Sequence, residues 1–320
     1  MRAEFRIWHQ DGVAHYAMTR PGTKQNYIIE PHFPIASVTI NRLMPPLLAQ
    51  INLSDTLKRK LFAVEFLSTQ TGEALITLIY HRPLDDHWTE AAAALEKVLG
   101  IFIIGRSRKQ KIVVCRDFVR ECLRVNGRDY HYLQIEGGFT QPNAQVNEQM
   151  LGWAEQAVQG LGGDLLELYC GNGNFTNVLA GQFNRVLATE IAKVSVASAR
   201  ENFKLNGVDN VVIARMSSEE LTQAMNGVRA FRRLEGINLA DYEFSTVFVD
   251  PPRAGLDAGT VALVSNFTNI LYISCNPLTL LDNINQLSAS HEVRKFALFD
   301  QFPWTEHMEC GVLMSKKLAD

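Results

Sequence analysis

Short apolar segments alternate with helical segments along the second half of the chain, and this alternation most constrains the fold. The apolar segments have the length of buried strands, and the segments between them carry apolar residues at the three-to-four spacing of helices. Such alternation builds a parallel sheet with right-handed crossovers and helices on both faces. We therefore predict an α/β doubly wound sheet. Its strands are expected at residues 164–169, 185–189, 211–214, 246–249 and 271–274, with tail strands at 293–298 and 311–314 at the sheet edge.

Polar or reactive side chains stand at the carboxyl ends of four predicted strands. These residues are Tyr169, Glu190, Asp250 and Cys275. The carboxyl ends of parallel strands meet at one edge of a sheet, which is where open α/β sheets bind ligands. We therefore expect one site to contain all four residues.

The turn after the first of these strands reads Tyr169-Cys-Gly-Asn-Gly-Asn174. Its two glycines permit positive φ and close approach of the backbone to a ligand. Without a third glycine the turn matches the dinucleotide fingerprint poorly, so alone it is weak support for a cofactor. Glu190 ends the next strand, where a carboxylate can accept hydrogen bonds from both hydroxyls of a ribose. A lone carboxylate at this position is about as often a simple surface charge.

The segment Ile270-Leu-Tyr-Ile-Ser-Cys-Asn-Pro277 ends a buried strand on a cysteine, because Asn-Pro cannot continue the strand. Alone, such a cysteine is usually a small buried hydrophobic residue. Beside the other polar strand ends, Cys275 becomes a candidate nucleophile. The five cysteines form no C-x-x-C pair and no zinc-like spacing, so we predict no metal site and a reduced, cytoplasmic protein. No apolar run reaches about 18 residues, so we expect no membrane span.

Residues 1–130 mix strand-like segments with two helical stretches, which predicts a smaller α+β domain ahead of the α/β domain at residues 131–320. The first helix, at about residues 35–49, is expected to break or kink at Pro45-Pro46. This half contains 18 Lys and Arg against 13 Asp and Glu, whereas the remainder contains 13 against 21. The basic excess is either a solvated surface or a contact for the phosphate backbone of a nucleic acid.

Several motifs together resemble those of the RNA 5-methyluridine methyltransferases. The motifs are Phe139-Thr-Gln-Pro-Asn143, residues 166–174, Phe248-Val-Asp-Pro-Pro-Arg-Ala-Gly-Leu256, Ser274-Cys-Asn-Pro277 and His307-Met-Glu-Cys310. The resemblance covers nearly the whole chain and implies a Rossmann-like class I methyltransferase fold with S-adenosyl-L-methionine as the methyl donor. The implied cofactor contacts are Gln141, Tyr169, Asn174, Glu190 and Asp250. Asp250 could instead contact the uracil.

The resemblance also implies how a uracil would be methylated at carbon 5. Cys275 would add to carbon 6 and thereby activate carbon 5, and Glu309 would later remove the carbon 5 proton so that elimination releases the enzyme. A free thiol is mostly protonated at pH 7, so we expect the site to lower the pKa of Cys275. Arg253 could do this, or it could hold a uracil oxygen.

The implied substrate is uridine 54 in the T-loop of tRNA, bound by the first domain. Arg6, Phe62 and His81 would contact the loop, although Phe62 could equally be a core residue and His81 a turn residue. We expect a monomer. Family members usually carry several tens of residues before the segment that matches residues 1–8, so we expect an N-terminal segment of the first domain to be missing here.

Three other functions stay open at the level of sequence. The first is methylation of uridine in ribosomal or other RNA, although members that act on ribosomal RNA commonly carry a β-barrel and an iron–sulfur cysteine cluster that are not seen here. The second is methylation of an exocyclic adenine nitrogen, which Asp-Pro-Pro alone would suggest but which needs no Cys275 and Glu309 pair. The third is a tRNA-binding or tRNA-folding module with reduced activity.

Overall fold

The computed structural model describes residues 1–20 and 22–318, and the chain divides into two compact units. The first unit contains residues 1–122 and 133–137, and the second contains residues 123–132 and the chain from residue 138 onward. Each unit has its own sheet and its own hydrophobic core.

A seven-stranded sheet forms the first unit, with β5 and β6 parallel and the other neighbouring strands antiparallel. In chain order its elements are β1 (Arg2–Gln10), β2 (Val13–Thr19), β3 (Asn26–Ile28), α1 (Val38–Leu53), α2 (Asp55–Lys58), β4 (Leu61–Ser68), β5 (Ala74–Tyr80), α3 (Asp86–Leu99), β6 (Phe102–Ser107) and β7 (Gln110–Val113). The strands lie in the order β3-β2-β1-β4-β5-β6-β7.

Helices α1 and α3 cover one face of this sheet and bury its core. The expected break at Pro45-Pro46 does not occur, because α1 continues through both prolines to Leu53. Ser37 caps the start of the helix by accepting a hydrogen bond from the backbone N–H of Ile40. Burial of one apolar face of α1 against the sheet offsets the hydrogen bonds that the prolines cannot donate.

A hairpin follows, formed by β8 (Phe118–Val125) and β9 (Arg128–Ile135). Its turn residues Asn126 and Gly127 have φ of 48° and 87°, the left-handed conformation that a two-residue hairpin turn requires. The residues of this hairpin are shared between the two units.

The second unit is a doubly wound α/β sheet. Its elements are α4 (Ala144–Val158), β10 (Asp164–Leu168), α5 (Thr176–Leu179), β11 (Val186–Thr189), α6 (Lys193–Leu205), β12 (Val211–Ala214), α7 (Ser218–Met225), β13 (Phe244–Val249), α8 (Ala258–Val264), β14 (Asn269–Ser274), α9 (Pro277–Leu287), β15 (His291–Phe299) and β16 (Glu309–Lys316). The strand order is β12-β11-β10-β13-β14-β16-β15, and the five strands from β12 to β14 are parallel. Helices α7, α8 and α9 contribute to the core on one face, while α6 packs against β11 and β12 through a separate cluster.

The predicted doubly wound sheet is therefore confirmed, with one difference at its end. Both tail strands were expected at the sheet edge, but β16 lies between β14 and β15 and pairs antiparallel with both. This insertion brings the chain before β16 back to the carboxyl end of β14. Within the described residues, no helix is both long and apolar enough to cross a membrane.

Candidate active site

Neighbouring strands place the predicted polar residues at one sheet edge. Leu168 of β10 pairs with Val249 of β13, and Val249 pairs with Tyr272 of β14. On the other side, Glu167 of β10 pairs with Ala188 of β11. The residues that follow these pairs, Tyr169, Glu190, Asp250 and Cys275, therefore come from four adjacent strands at a shared carboxyl edge.

The glycine turn after β10 has the backbone conformation that its sequence predicts. Gly171 and Gly173 have φ of 55° and 77°, and Tyr169 also has a positive φ of 61°. A Cβ atom at Gly173 would lie 2.6 Å from the Phe203 ring, so α6 packs too closely for any larger residue. At Gly171 no atom of the described residues beyond its chain neighbours lies within 4 Å of such a Cβ position, which leaves room for a ligand against the backbone.

Glu190 is tied to this turn. One carboxylate oxygen accepts a hydrogen bond from the Gly171 backbone N–H at 3.0 Å, and the other accepts one from the Ala192 N–H at 2.7 Å. These bonds hold the carboxylate in a defined orientation beside the turn. Each oxygen keeps a second lone pair, so the group can still accept hydrogen bonds from a diol.

Three of the other predicted cofactor residues, Tyr169, Asn174 and Gln141, have protein partners. Tyr169 donates its hydroxyl proton to the Ser218 hydroxyl at 2.7 Å. The side-chain amides of Asn174 and Asn147 bond each other twice, at 2.8 and 3.0 Å. Gln141 accepts a hydrogen bond at 2.7 Å from the side chain of Gln301, which precedes β16.

Cys275 and Glu309 are brought together by the pairing of β14 with β16. Ser274, the last residue of β14, pairs with Cys310. Cys275 follows Ser274 and therefore lies opposite Glu309, the first residue of β16. Asn276 then turns the chain into α9 by accepting a hydrogen bond from the Leu278 backbone N–H at 3.1 Å, with Pro277 in the first helical turn.

Two carboxyl groups surround the Cys275 thiol and change its acidity. Burial, and then the charges of Glu309 and Asp250, raise the pKa of Cys275, while Arg253 opposes this effect. The expectation that the site lowers this pKa is therefore wrong, because burial of the thiol and the two neighbouring acids outweigh the effect of Arg253. Burial raises the pKa of Glu309 to about 7, and burial together with Glu309 raises the pKa of Asp250 to about 8.

Arg253 is held beside the active-site turn by its backbone and its side chain. Its carbonyl oxygen accepts a hydrogen bond from the Asn276 side chain at 3.0 Å, and its guanidinium lies 3.2 Å from Nδ1 of His307. His307 belongs to one of the motifs noted in the sequence, but no role was predicted for it.

Glu167 is a second residue to which no role was predicted. It lies in β10 and is 1% exposed, and neither carboxylate oxygen has a hydrogen-bond partner among the described residues. Burial is the main cause that raises its pKa to about 8; the nearby Thr176 hydroxyl lowers it and Asp250 raises it further. The available signal was an acidic residue between two leucines of a predicted buried strand.

The three predicted RNA contacts form one stack on the first unit. The Arg6 guanidinium lies over the Phe62 ring at 4.5 Å from its centroid, and the Phe62 and His81 rings stack at 4.1 Å. Phe62 is half-buried, whereas Arg6 and His81 are exposed, so the stack reaches the surface. This arrangement can present flat, cationic and aromatic groups to a nucleobase.

Nearly the whole chain is similar to proteins of one family. A family model described as tRNA (Uracil-5-)-methyltransferase matches residues 1–317. A tRNA/tmRNA (uracil-C(5))-methyltransferase of Cellvibrio japonicus is 60% identical over 317 residues, which cover 99% of this chain and 86% of that relative. The protein of the same name from Teredinibacter turnerae is 57% identical over 319 residues, which cover 99% of this chain and 88% of that relative.

A solved structure has the same fold. The Pyrococcus abyssi tRNA (uracil-54, C5)-methyltransferase, in complex with S-adenosyl-L-homocysteine, matches with a TM-score of 0.71 at 21% identity. The match covers 98% of this chain and 75% of that one. This likeness confirms the predicted class of fold.

Proposed function

Because the chain belongs to the tRNA (uracil-5-)-methyltransferase family, we propose that it methylates carbon 5 of uridine 54 in the T-loop of tRNA, with S-adenosyl-L-methionine as donor. The observation that carries this proposal is the placement of Cys275 opposite Glu309 at the ligand-binding edge of the sheet. A thiol beside a carboxyl group of shifted pKa suits addition to a pyrimidine ring followed by removal of a proton.

The glycine turn fits the proposed donor. Space is open against the Gly171 backbone, and Glu190 presents oriented carboxylate oxygens for the ribose hydroxyls. The binding site would be completed by Gln141, Tyr169, Asn174 and Asp250, because they carry polar groups around the same edge. When bound, S-adenosyl-L-methionine supplies an electrophilic methyl group for carbon 5.

Cys275 starts the chemistry on the uracil. Its thiolate sulfur forms a bond to carbon 6, and the electron pair of the double bond between carbons 5 and 6 moves onto carbon 5 and the adjoining carbonyl. Carbon 5 thereby becomes a much stronger nucleophile than it is in free uracil. The positive charge of Arg253 favours the thiolate against the two neighbouring carboxyl groups.

Glu309 completes the reaction after carbon 5 carries the methyl group. Its carboxylate takes the remaining proton from carbon 5, the double bond re-forms, and the Cys275 thiolate leaves carbon 6. With a pKa of about 7, Glu309 is about half ionised at neutral pH and can both take and release a proton there.

The first unit supplies the RNA-binding surface in this proposal. The residues of the first unit, 1–122 and 133–137, carry a net charge of +3, from 16 Lys and Arg against 13 Asp and Glu. The stack of Arg6, Phe62 and His81 offers a platform for an unstacked base. RNA affinity should therefore fall as salt rises, because phosphate neutralisation releases counterions.

The names of the relatives suggest a second RNA substrate. Both the Cellvibrio japonicus and the Teredinibacter turnerae proteins are named for tRNA and tmRNA. We therefore propose that the chain also methylates the corresponding uridine of tmRNA, through the same pair of Cys275 and Glu309.

Replacement of the nucleophile tests the proposed function. Cys275→Ala should incorporate no methyl group into a T-arm hairpin RNA but should bind that RNA with unchanged affinity. Cys115→Ala is the matched control, since Cys115 is an exposed cysteine of the first unit. Full incorporation of labelled methyl groups by Cys275→Ala would refute the proposal.

A further inference from the structure

The loop at residues 300–308, between β15 and β16, displays a tryptophan at its tip. Trp304 is 95% exposed, and its φ of 68° lies in the left-handed region that residues with a side chain rarely adopt. An indole side chain that is 95% exposed buries too little surface to offset the cost of this backbone conformation. The strained conformation therefore indicates that the exposed ring has a function.

The Trp304 loop is held on both sides of its tip. Gln301 is buried and donates a hydrogen bond to Gln141 at 2.7 Å. The Thr305 hydroxyl donates to the Phe302 carbonyl oxygen at 2.8 Å and accepts from the His307 backbone N–H at 3.1 Å. These bonds fix the loop on which the indole stands, so the ring is presented on an ordered base.

The same loop lies at the rim of the candidate active site. It leads directly into Glu309, and His307 lies 3.2 Å from the guanidinium of Arg253. A second exposed aromatic residue stands on the adjoining loop: Phe139, which is 64% exposed and two residues before the Gln141 that bonds to Gln301. The rim therefore exposes two aromatic rings on loops that are hydrogen-bonded to each other.

We propose that Trp304 is a positioning residue that stacks on a nucleobase of the RNA beside the target uridine. This inference rests on the proposed function, because the proposed partner of the ring is a base of the RNA substrate. A uridine must leave the base stack before Cys275 can reach carbon 6, and its neighbours then lose a stacking partner. An exposed indole restores that partner for any base, because every base has an aromatic face.

Tryptophan substitutions in the full chain test the proposal with a T-arm hairpin RNA. We expect Trp304→Ala to raise both the Kd for RNA and the KM by about 5- to 150-fold, the range for loss of one base–aromatic stack. The value of kcat should change much less, and Trp304→Phe should recover most of the affinity. Phe296→Ala is the matched control: it removes an aromatic ring that is 56% exposed in the middle of β15, and it should leave Kd and KM unchanged.

A spectroscopic measurement separates stacking from a structural role. RNA binding should protect the wild-type chain from acrylamide quenching of tryptophan fluorescence, and Trp304→Ala should lose this protection. Unchanged Kd and KM in Trp304→Ala would overturn the proposal, as would a loss that Trp304→Phe does not recover. A shift of oligomeric state in Trp304→Ala would also overturn it, since it would assign the ring to contact with a second copy.

The Kd measurements distinguish a failure of this inference from a failure of the proposed function. If the wild-type chain fails to methylate the hairpin, the proposed function fails, while the Kd values of the Trp304 variants still decide whether the ring contacts RNA. If methylation proceeds and the variants bind normally, only the inference about Trp304 fails.

Discussion

Glu309→Gln is the most informative substitution, because it removes the proposed base and nearly preserves its shape. Glutamine cannot take a proton from carbon 5, so the reaction should stop with Cys275 bonded to carbon 6 of the methylated uracil. Loss of a positioned general base costs about 10²- to 10⁴-fold in rate, and turnover should fall by this factor. The covalent protein–RNA adduct should accumulate and migrate as one band on a denaturing gel.

The pKa of Glu309 sets the pH dependence expected of the wild-type chain. With a pKa of about 7, the ionised fraction rises about tenfold per pH unit well below pH 7 and levels off above it. If proton removal limits turnover, kcat should follow the same curve. In Glu309→Gln, decay of the adduct should lose this rise near pH 7.

Glu292→Gln is the matched control, because Glu292 is an exposed glutamate of β15. It should form no stable adduct and keep wild-type turnover. Thermal unfolding of both variants checks that the fold is intact. Normal turnover by Glu309→Gln, with no adduct on the gel, would refute the assigned role.

Three further predictions concern the acids of the site and the RNA surface. Asp250→Asn should lower the pKa of Cys275 by removing a neighbouring negative charge, so that the pH profile of its alkylation by iodoacetamide moves to lower pH; an unmoved profile contradicts this. Glu167 has a pKa raised from 4.5 to about 8, so the folded state binds more protons than the unfolded state between these values. The free energy of unfolding therefore falls as pH rises between these values, by up to about 1.4 kcal/mol per pH unit. In Glu167→Gln, the free energy of unfolding measured with urea should fall less steeply with pH. Equal slopes of unfolding free energy against pH in the two proteins would exclude this effect of Glu167. Phe62→Ala should weaken binding of the T-arm hairpin by about 5- to 150-fold through loss of stacking, whereas the exposed-aromatic control Tyr27→Ala should not; equal affinities in a titration contradict the RNA-binding role.

Much of the fold could be predicted from the sequence where strands and helices alternate along the chain. The strands from β10 to β14 are apolar segments joined by helices, and local pattern and crossover rules were enough to place them in a parallel sheet. The family, which was predicted from its motifs, is confirmed by the match over residues 1–317.

The rest of the fold and of the site could not be predicted, because it depends on pairing between strands that are far apart in the sequence. The position of β16 between β14 and β15 depends on antiparallel contacts that no local pattern encodes, and it alone places Glu309 opposite Cys275. The sequence could connect these residues only through resemblance. The raised pKa of Cys275 was missed for the same reason, since Asp250 and Glu309 become neighbours of the thiol only in the folded chain.

Glu167 shows a different limit. Its place in β10 was predicted with the strand, but an acid in an apolar segment does not reveal whether it will be paired, exposed or buried. The Trp304 loop was likewise invisible, because backbone conformation and exposure at a loop tip depend on the hydrogen bonds of Gln301 and Thr305.

Nucleoside mass spectrometry of an unmodified tRNA transcript tests the central claim most directly. The transcript is incubated with the wild-type chain and S-adenosyl-L-methionine carrying a labelled methyl group, next to a transcript in which cytidine replaces uridine 54. The proposed function predicts labelled 5-methyluridine at position 54 of the first transcript and none in the second. Label at another position, equal label in both transcripts, or no label in either would contradict it.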